Sequence, residues 1–144
     1  GSVGPPQLAR LEQLLRELAE TDYCRVVLIH HPPQYGDWTL RRGLGDSVDV
    51  CRVLERVGAD LVLHGHAHKT MIESVAGPHG AVPVIGVRSA SDIGSRLDRI
   101  ARYHLYRIER EIEKSTSRRF RIILETREYE PGRGTFRYVG EQEL

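Results

Sequence analysis

The sequence predicts an α/β protein, and three observations carry the prediction. Leucines at helical spacing open the chain, two short Val/Leu/Ile runs end in histidine clusters, and alternating apolar and charged residues follow. A short, unbroken apolar run reads as a strand buried on both faces, whereas alternation reads as an antiparallel strand with one wet face. Helix–strand–helix–strand followed by a β-meander indicates layers of an α/β sandwich. At 144 residues the chain has the length of one domain and can bury a core without disulfides. Its net charge of +1 implies no general attraction to nucleic acid or to an anionic membrane. No apolar run approaches a membrane span, and the first residues lack a signal-peptide pattern.

Gly4-Pro5-Pro6 starts the first helix, because proline suits a first helical position. Leu8, Leu11, Leu14, Leu15 and Leu18 form its apolar stripe, and Thr21-Asp22 ends it. Arg25–Ile29 is the first buried strand, stopped by Pro32-Pro33. Gln34 to Gly45 reads as a long loop holding Tyr35, Trp38 and the pair Arg41-Arg42. Asp46 or Ser47 caps a second helix with Val48, Cys51, Leu54 and Val57 on its apolar face, and Gly58 stops it. Asp60–Leu63 is the second buried strand. Thr70–Ala76 and Ala81–Val87 read as a strand pair around Gly77-Pro78-His79-Gly80. Arg99–Glu109 and Arg118–Glu128 are longer strands, the latter with Phe120, Ile122 and Leu124 on one face. A last short strand surrounds Phe136 and Tyr138.

The histidines stand out by position. VVLIHHPP (Val26–Pro33) and LVLHGHAH (Leu61–His68) each place imidazoles where an apolar run stops. Residues just past a buried parallel strand lie at the sheet edge where ligands bind in open α/β folds. Neutral imidazole also suits borderline transition metals. Two histidine-tipped strands therefore point to a metal site at a sheet edge. His79 reads as a solvated turn residue and His104 as a strand residue. The arginines between Arg96 and Arg137 are interleaved with Asp98, Glu109, Glu111, Glu113, Glu125, Glu128 and Glu130, which favours a solvated strand face over an RNA surface. Cys24 and Cys51 form no CxxC and read as free thiols of a reducing, cytoplasmic compartment.

His30-His31-Pro32 (His-x-Pro) and Gly65-His66-Ala67-His68 (Gly-His-x-His), each directly after a buried strand, together resemble the last two motifs of the calcineurin-like metallophosphoesterases. Arg41-Arg42-Gly43-Leu44 and Gly86–Ser91 also resemble bacterial members, and order and spacing continue from Gln7 to about Tyr106. The resemblance implies a four-layer α/β/β/α sandwich, of which residues 1–144 would be the C-terminal portion of a single domain, ending in the meander. It implies two divalent metal ions (Mn, Fe or Zn) that clamp a phosphoester and activate a water. His30 and His66 would ligate one metal and His68 the other. His31 and His64 would orient a ligand or the phosphate. Arg41 and Arg42, in the loop that leaves the His30 strand end, read equally as contacts to a substrate phosphate or as part of a plain exposed loop. Gly65 would provide a sharp turn for His66 and His68.

The family's first three motifs, Asp-x-His, Gly-Asp-x-x-Asp and Gly-Asn-His, lie upstream of His-x-Pro. The chain has no Asp-x-His and no asparagine. Gly45-Asp46-Ser47-Val48-Asp49 matches the second as a string, but it follows His30 and opens a helix, so helix capping explains Asp46 and Asp49 better. The expectation is a phosphomonoesterase or phosphodiesterase whose bridging carboxylate lies elsewhere, in a missing N-terminal half or a second chain. The alternative is a catalytically inactive binding or assembly module derived from that fold. Alone, the chain should be inactive and prone to pair, as a homo-oligomer or with the missing half.

Overall fold

The structure, a computed structural model, describes residues 1–34, 43–93, 99–111 and 119–144. Tyr35, Trp38, Arg41 and Arg42 lie outside the described residues. The fold is mixed α/β, with helices α1 (Pro5–Ala19) and α2 (Ser47–Val57) and two sheets among the described residues. The chain divides into two compact units, one of Gly1–His66 with Ile72–Ile85 and one of Ala67–Met71 with Gly86–Leu144. None of these helices is long and apolar enough to cross a membrane.

The first unit is built on a sheet of β1 (Val26–Ile29), β2 (Leu61–His64), β3 (Met71–Val75) and β4 (Val82–Gly86), in the order β1-β2-β4-β3. β1 and β2 are parallel, with Val26 opposite Leu61 and Ile29 opposite His64. Such a pair needs a crossover, and α2 lies in that connection. The core gathers Val50, Val53, Leu54 and Val57 from α2, Leu15 from α1, and Val62, Val82 and Val84 from the sheet. Proline at the start of α1 and Gly58 at φ 69° after α2 bound the helices as the sequence predicts.

Two expected faces are corrected. On α2, Val48 is 44% exposed, while Val50 and Val53 are buried. The 50/53/54/57 stripe wins over 48/51/54/57 because it puts four branched aliphatic residues on the core, and a cysteine and a valine give way. β1 is not buried on both faces. Leu28 is 77% exposed and Val26 39%, because Val27 and Ile29 take the core side of this strand and Val26 and Leu28 alternate onto its other face, which is uncovered there. β2, inside the sheet, is buried along most of its length.

One buried cation ties the unit together. Arg25, 7% exposed, sits just before β1, with Asp60 just before β2 as its ion-pair partner at 3.3 Å. Its guanidinium also donates to the carbonyls of Leu15, Val57 and Gly58, at the ends of both helices. The Asp60 carboxylate accepts the Arg25 backbone N–H at 2.7 Å. A buried charge needs this degree of compensation.

The second unit is a meander of β5 (Arg102–Arg110), β6 (Phe120–Glu130) and β7 (Thr135–Glu143), antiparallel throughout. Ile122 and Leu124 are buried as the alternation predicts, but Ile123 is buried too, so both faces of β6 are covered there. The last strand is nine residues long, not short. Its pairing with β6 extends well past Tyr138, across a register shift at Thr126/Arg127. Tyr103, Phe136 and Tyr129 pack ring to ring. Arginines pair with acids along the strands: Arg121 with Glu143, Arg127 with Glu125, and Arg102 and Arg137 with Glu128.

Candidate metal centre

The site grows out of the β1–β2 register. With Ile29 opposite His64, the residues just past the two strands, His30 and Gly65, are neighbours. The Gly65 N–H donates to the His30 carbonyl at 3.1 Å, which ties the strand ends together. His30 and His66 then meet, with His30 Nε2 and His66 Nδ1 3.1 Å apart. The His31 ring lies 4.9 Å from that of His30 and 4.2 Å from that of His66, centroid to centroid. One ring nitrogen from each of His30, His31 and His66 falls within 4.8 Å of the others. Pro32 and Pro33 are buried behind this turn, and the Cys51 thiol donates to the Pro33 carbonyl at 3.0 Å.

This geometry suits a transition metal. Metal–nitrogen bonds of about 2.0–2.1 Å in tetrahedral coordination place ligand nitrogens roughly 3.3 Å apart. The 3.1 Å separation of His30 and His66 is close to that spacing. Burial, and then the neighbouring His66, push the His31 pKa below its ordinary value, which favours the neutral ring that a metal needs. Imidazole nitrogen is a ligand of borderline transition metals in general.

The backbone is strained at this point. His66 has φ 61° and His68 φ 51°, the left-handed region that side chains with a Cβ adopt at a cost. The expected role of Gly65 is therefore corrected. The turn is made by the histidines that follow, while a Cβ on Gly65 would sit 3.8 Å from the His30 carbonyl, an ordinary contact.

The expected site residues divide as follows. His30, His31 and His66 come together, and His31 is a full member of the group. His68 is exposed, belongs to the second unit, and is not in the group. His64 ends β2 and is only 6% exposed. Its Nδ1 meets the Gly65 carbonyl at 3.1 Å, its Nε2 is buried without a hydrogen-bond partner, and burial lowers its pKa. It is a core histidine beneath the turn. His79 is an exposed turn residue and His104 a half-buried strand residue.

Asp46 is also corrected. It precedes α2, but its side chain makes no capping hydrogen bond there. It accepts instead from the Ser2 hydroxyl at 3.0 Å, the Val3 N–H at 3.0 Å and the Gly4 N–H at 2.7 Å, at the start of α1. Burial opposes ionisation of this carboxyl, but those donors hold it below its usual range. Sequence reasoning missed this role because the partners are more than forty residues away. No family model matches the sequence, and no curated protein matches it.

Proposed function

We propose that this chain is the histidine-bearing part of a metal-dependent phosphoesterase, a hydrolase of phosphomonoesters or phosphodiesters. The observation that supports it most is the convergence of His30, His31 and His66 at the ends of adjacent parallel strands. Paired His-x-Pro and Gly-His-x-His motifs in that position are what the calcineurin-like metallophosphoesterases carry. In this reading His30 and His66 hold one divalent ion, His31 joins or steadies it, and His68 serves a second. The ions, Mn, Fe or Zn, would polarise the phosphoester and lower the pKa of a bound water. Residues 1–144 would be the C-terminal portion of one four-layer domain, working in a reducing cytoplasm where Cys24 and Cys51 stay free.

A bridging carboxylate is the part this reading requires from elsewhere. Among the described residues the metal-competent group is three imidazoles with no acid. The exposed edge strand β1, with Leu28 and Val26 open on its outer face, is where a missing N-terminal half or a second chain would lie. The same two observations favour the second reading, an inactive binding or assembly module derived from the fold. One experiment separates them. Hydrolysis of bis-p-nitrophenyl phosphate with Mn²⁺ or Zn²⁺ is measured for the 144-residue chain and for the longest natural polypeptide that contains it. The enzyme reading expects activity only in the longer protein, abolished by His66→Ala. Absence of metal-dependent hydrolysis in both leaves the module.

A further inference from the structure

The least supported of the three converging rings is His31. Among the described residues no hydrogen bond fixes it, and its angle is set by packing against its neighbours. Metal-binding imidazoles are usually oriented by a partner on the second nitrogen, so another constraint is needed here.

That constraint is the segment before α1. An ideal Cβ on Gly1 would lie 2.7 Å from His31 Cε1 and 3.0 Å from Nδ1, so the Gly1 backbone stands against the ring and any side chain there would have to push the imidazole aside. Gly1 is fixed in turn by the Gly45 N–H, which donates to its carbonyl at 2.8 Å. The next three residues converge on one carboxylate. The successive N–H groups of Val3 and Gly4 point the same way, and both donate to Asp46 together with the Ser2 hydroxyl. Three charge-assisted hydrogen bonds are a strong fastening for four residues. Asp46 follows Gly45 directly, so one short stretch grips the segment at both ends.

We propose that Asp46 is a positioning residue for His31: its carboxylate clamps the Gly1–Gly4 segment so that Gly1 braces the imidazole beside His30 and His66. This rests on the metal-site reading above. Asp46 touches no metal, and its effect travels only through the segment and the ring. The string Gly45-Asp46-Ser47-Val48-Asp49 thus serves the metal centre without ligating it.

The test uses the full chain with Co²⁺ as the probe, whose visible bands report ligand geometry, and with histidine ring resonances read by NMR without metal. Asp46→Asn keeps the size of the side chain and loses its charge. The expected result is an about tenfold weaker Co²⁺ affinity, as one poorly placed ligand gives, with altered visible bands. His31 ring signals should move while those of His104 stay. Asp46→Asn on a His31→Gln background should weaken Co²⁺ no further, because residues acting through one another are not additive. Gly1→Ala pushes on the ring directly and should reproduce both effects if Asp46→Asn does not fold. Equal losses from Asp46→Asn with and without His31, or unmoved His31 signals in both variants, overturn the proposal. If the unaltered chain binds no Co²⁺, the metal reading fails, and the His31 signals alone decide whether the clamp exists.

Discussion

Asp60→Ala should be among the most damaging single substitutions in the first unit. It removes the carboxylate beside Arg25, a guanidinium only 7% exposed, and leaves that charge with the carbonyls of Leu15, Val57 and Gly58 alone. Breaking a buried pair by deleting one partner costs about 3–5 kcal/mol. The Arg25 backbone N–H also loses its 2.7 Å acceptor, worth about 1 kcal/mol more. Against a total stability of about 5–15 kcal/mol for a domain, that approaches outright unfolding. Arg25→Met in the same chain should recover most of the loss, because an apolar side chain of similar length leaves no buried charge. Urea unfolding followed by far-UV circular dichroism gives each free energy by linear extrapolation. A cost below about 1 kcal/mol for Asp60→Ala would match an exposed ion pair and refute the reasoning. Full additivity of the two substitutions would do the same.

Acid should weaken the fold in two steps. Burial lowers the His104 pKa to about 4, so the unfolded chain binds this proton first. Stability is then intact above the ordinary histidine value and is lost as pH falls from about 6.5 to about 4, by at most about 3 kcal/mol and less where solvent screens the ring. The lowered His31 and His64 add to that slope, and the depressed carboxyls of Asp46 and Glu128 add a second one below it. Melting temperatures across this range should show a shallower first step in His104→Leu. Gly77→Ala puts a methyl 2.7 Å from Val82 Cγ2 and 2.9 Å from the Gly80 carbonyl and should cost about 1–3 kcal/mol, whereas Gly65→Ala should cost under about 1; equal melting temperatures for the two would contradict this. Leu28→Asp should reduce any self-association seen by sedimentation without lowering the melting temperature, since Leu28 is 77% exposed.

What the sequence made legible was local. Helix starts at proline, a helix stop at Gly58, and the placement of His30 and His66 past apolar runs all follow from neighbours along the chain. What escaped depends on partners distant in sequence. The run Val26–Ile29 looks as apolar as Leu61–His64, and only the packing of the folded chain separates the strand with one uncovered face from the covered one. His31 and His68 are both histidines past a strand. The bend at His30-His31 keeps both rings at the centre, while the strained backbone at His66 and His68 leads into the second unit. Asp46 reads as a helix cap by spacing, and its service to the start of α1 appears only once the two segments are brought together.

The most direct test of the central claim is Zn²⁺ affinity, measured by competition with a chromophoric chelator at neutral pH. It is measured in the unaltered chain and in His30→Gln, His31→Gln, His66→Gln and His68→Gln. Removing one ligand of three costs well over tenfold, by analogy with the tenfold to hundredfold cost of disturbing the groups that merely orient ligands. The account predicts that loss for His30, His31 and His66, with His68→Gln close to the unaltered chain in this isolated form. No Zn²⁺ binding tighter than that of the triple His30/His31/His66→Gln variant, or a loss for His68 that matches the others while His31→Gln changes nothing, would contradict it.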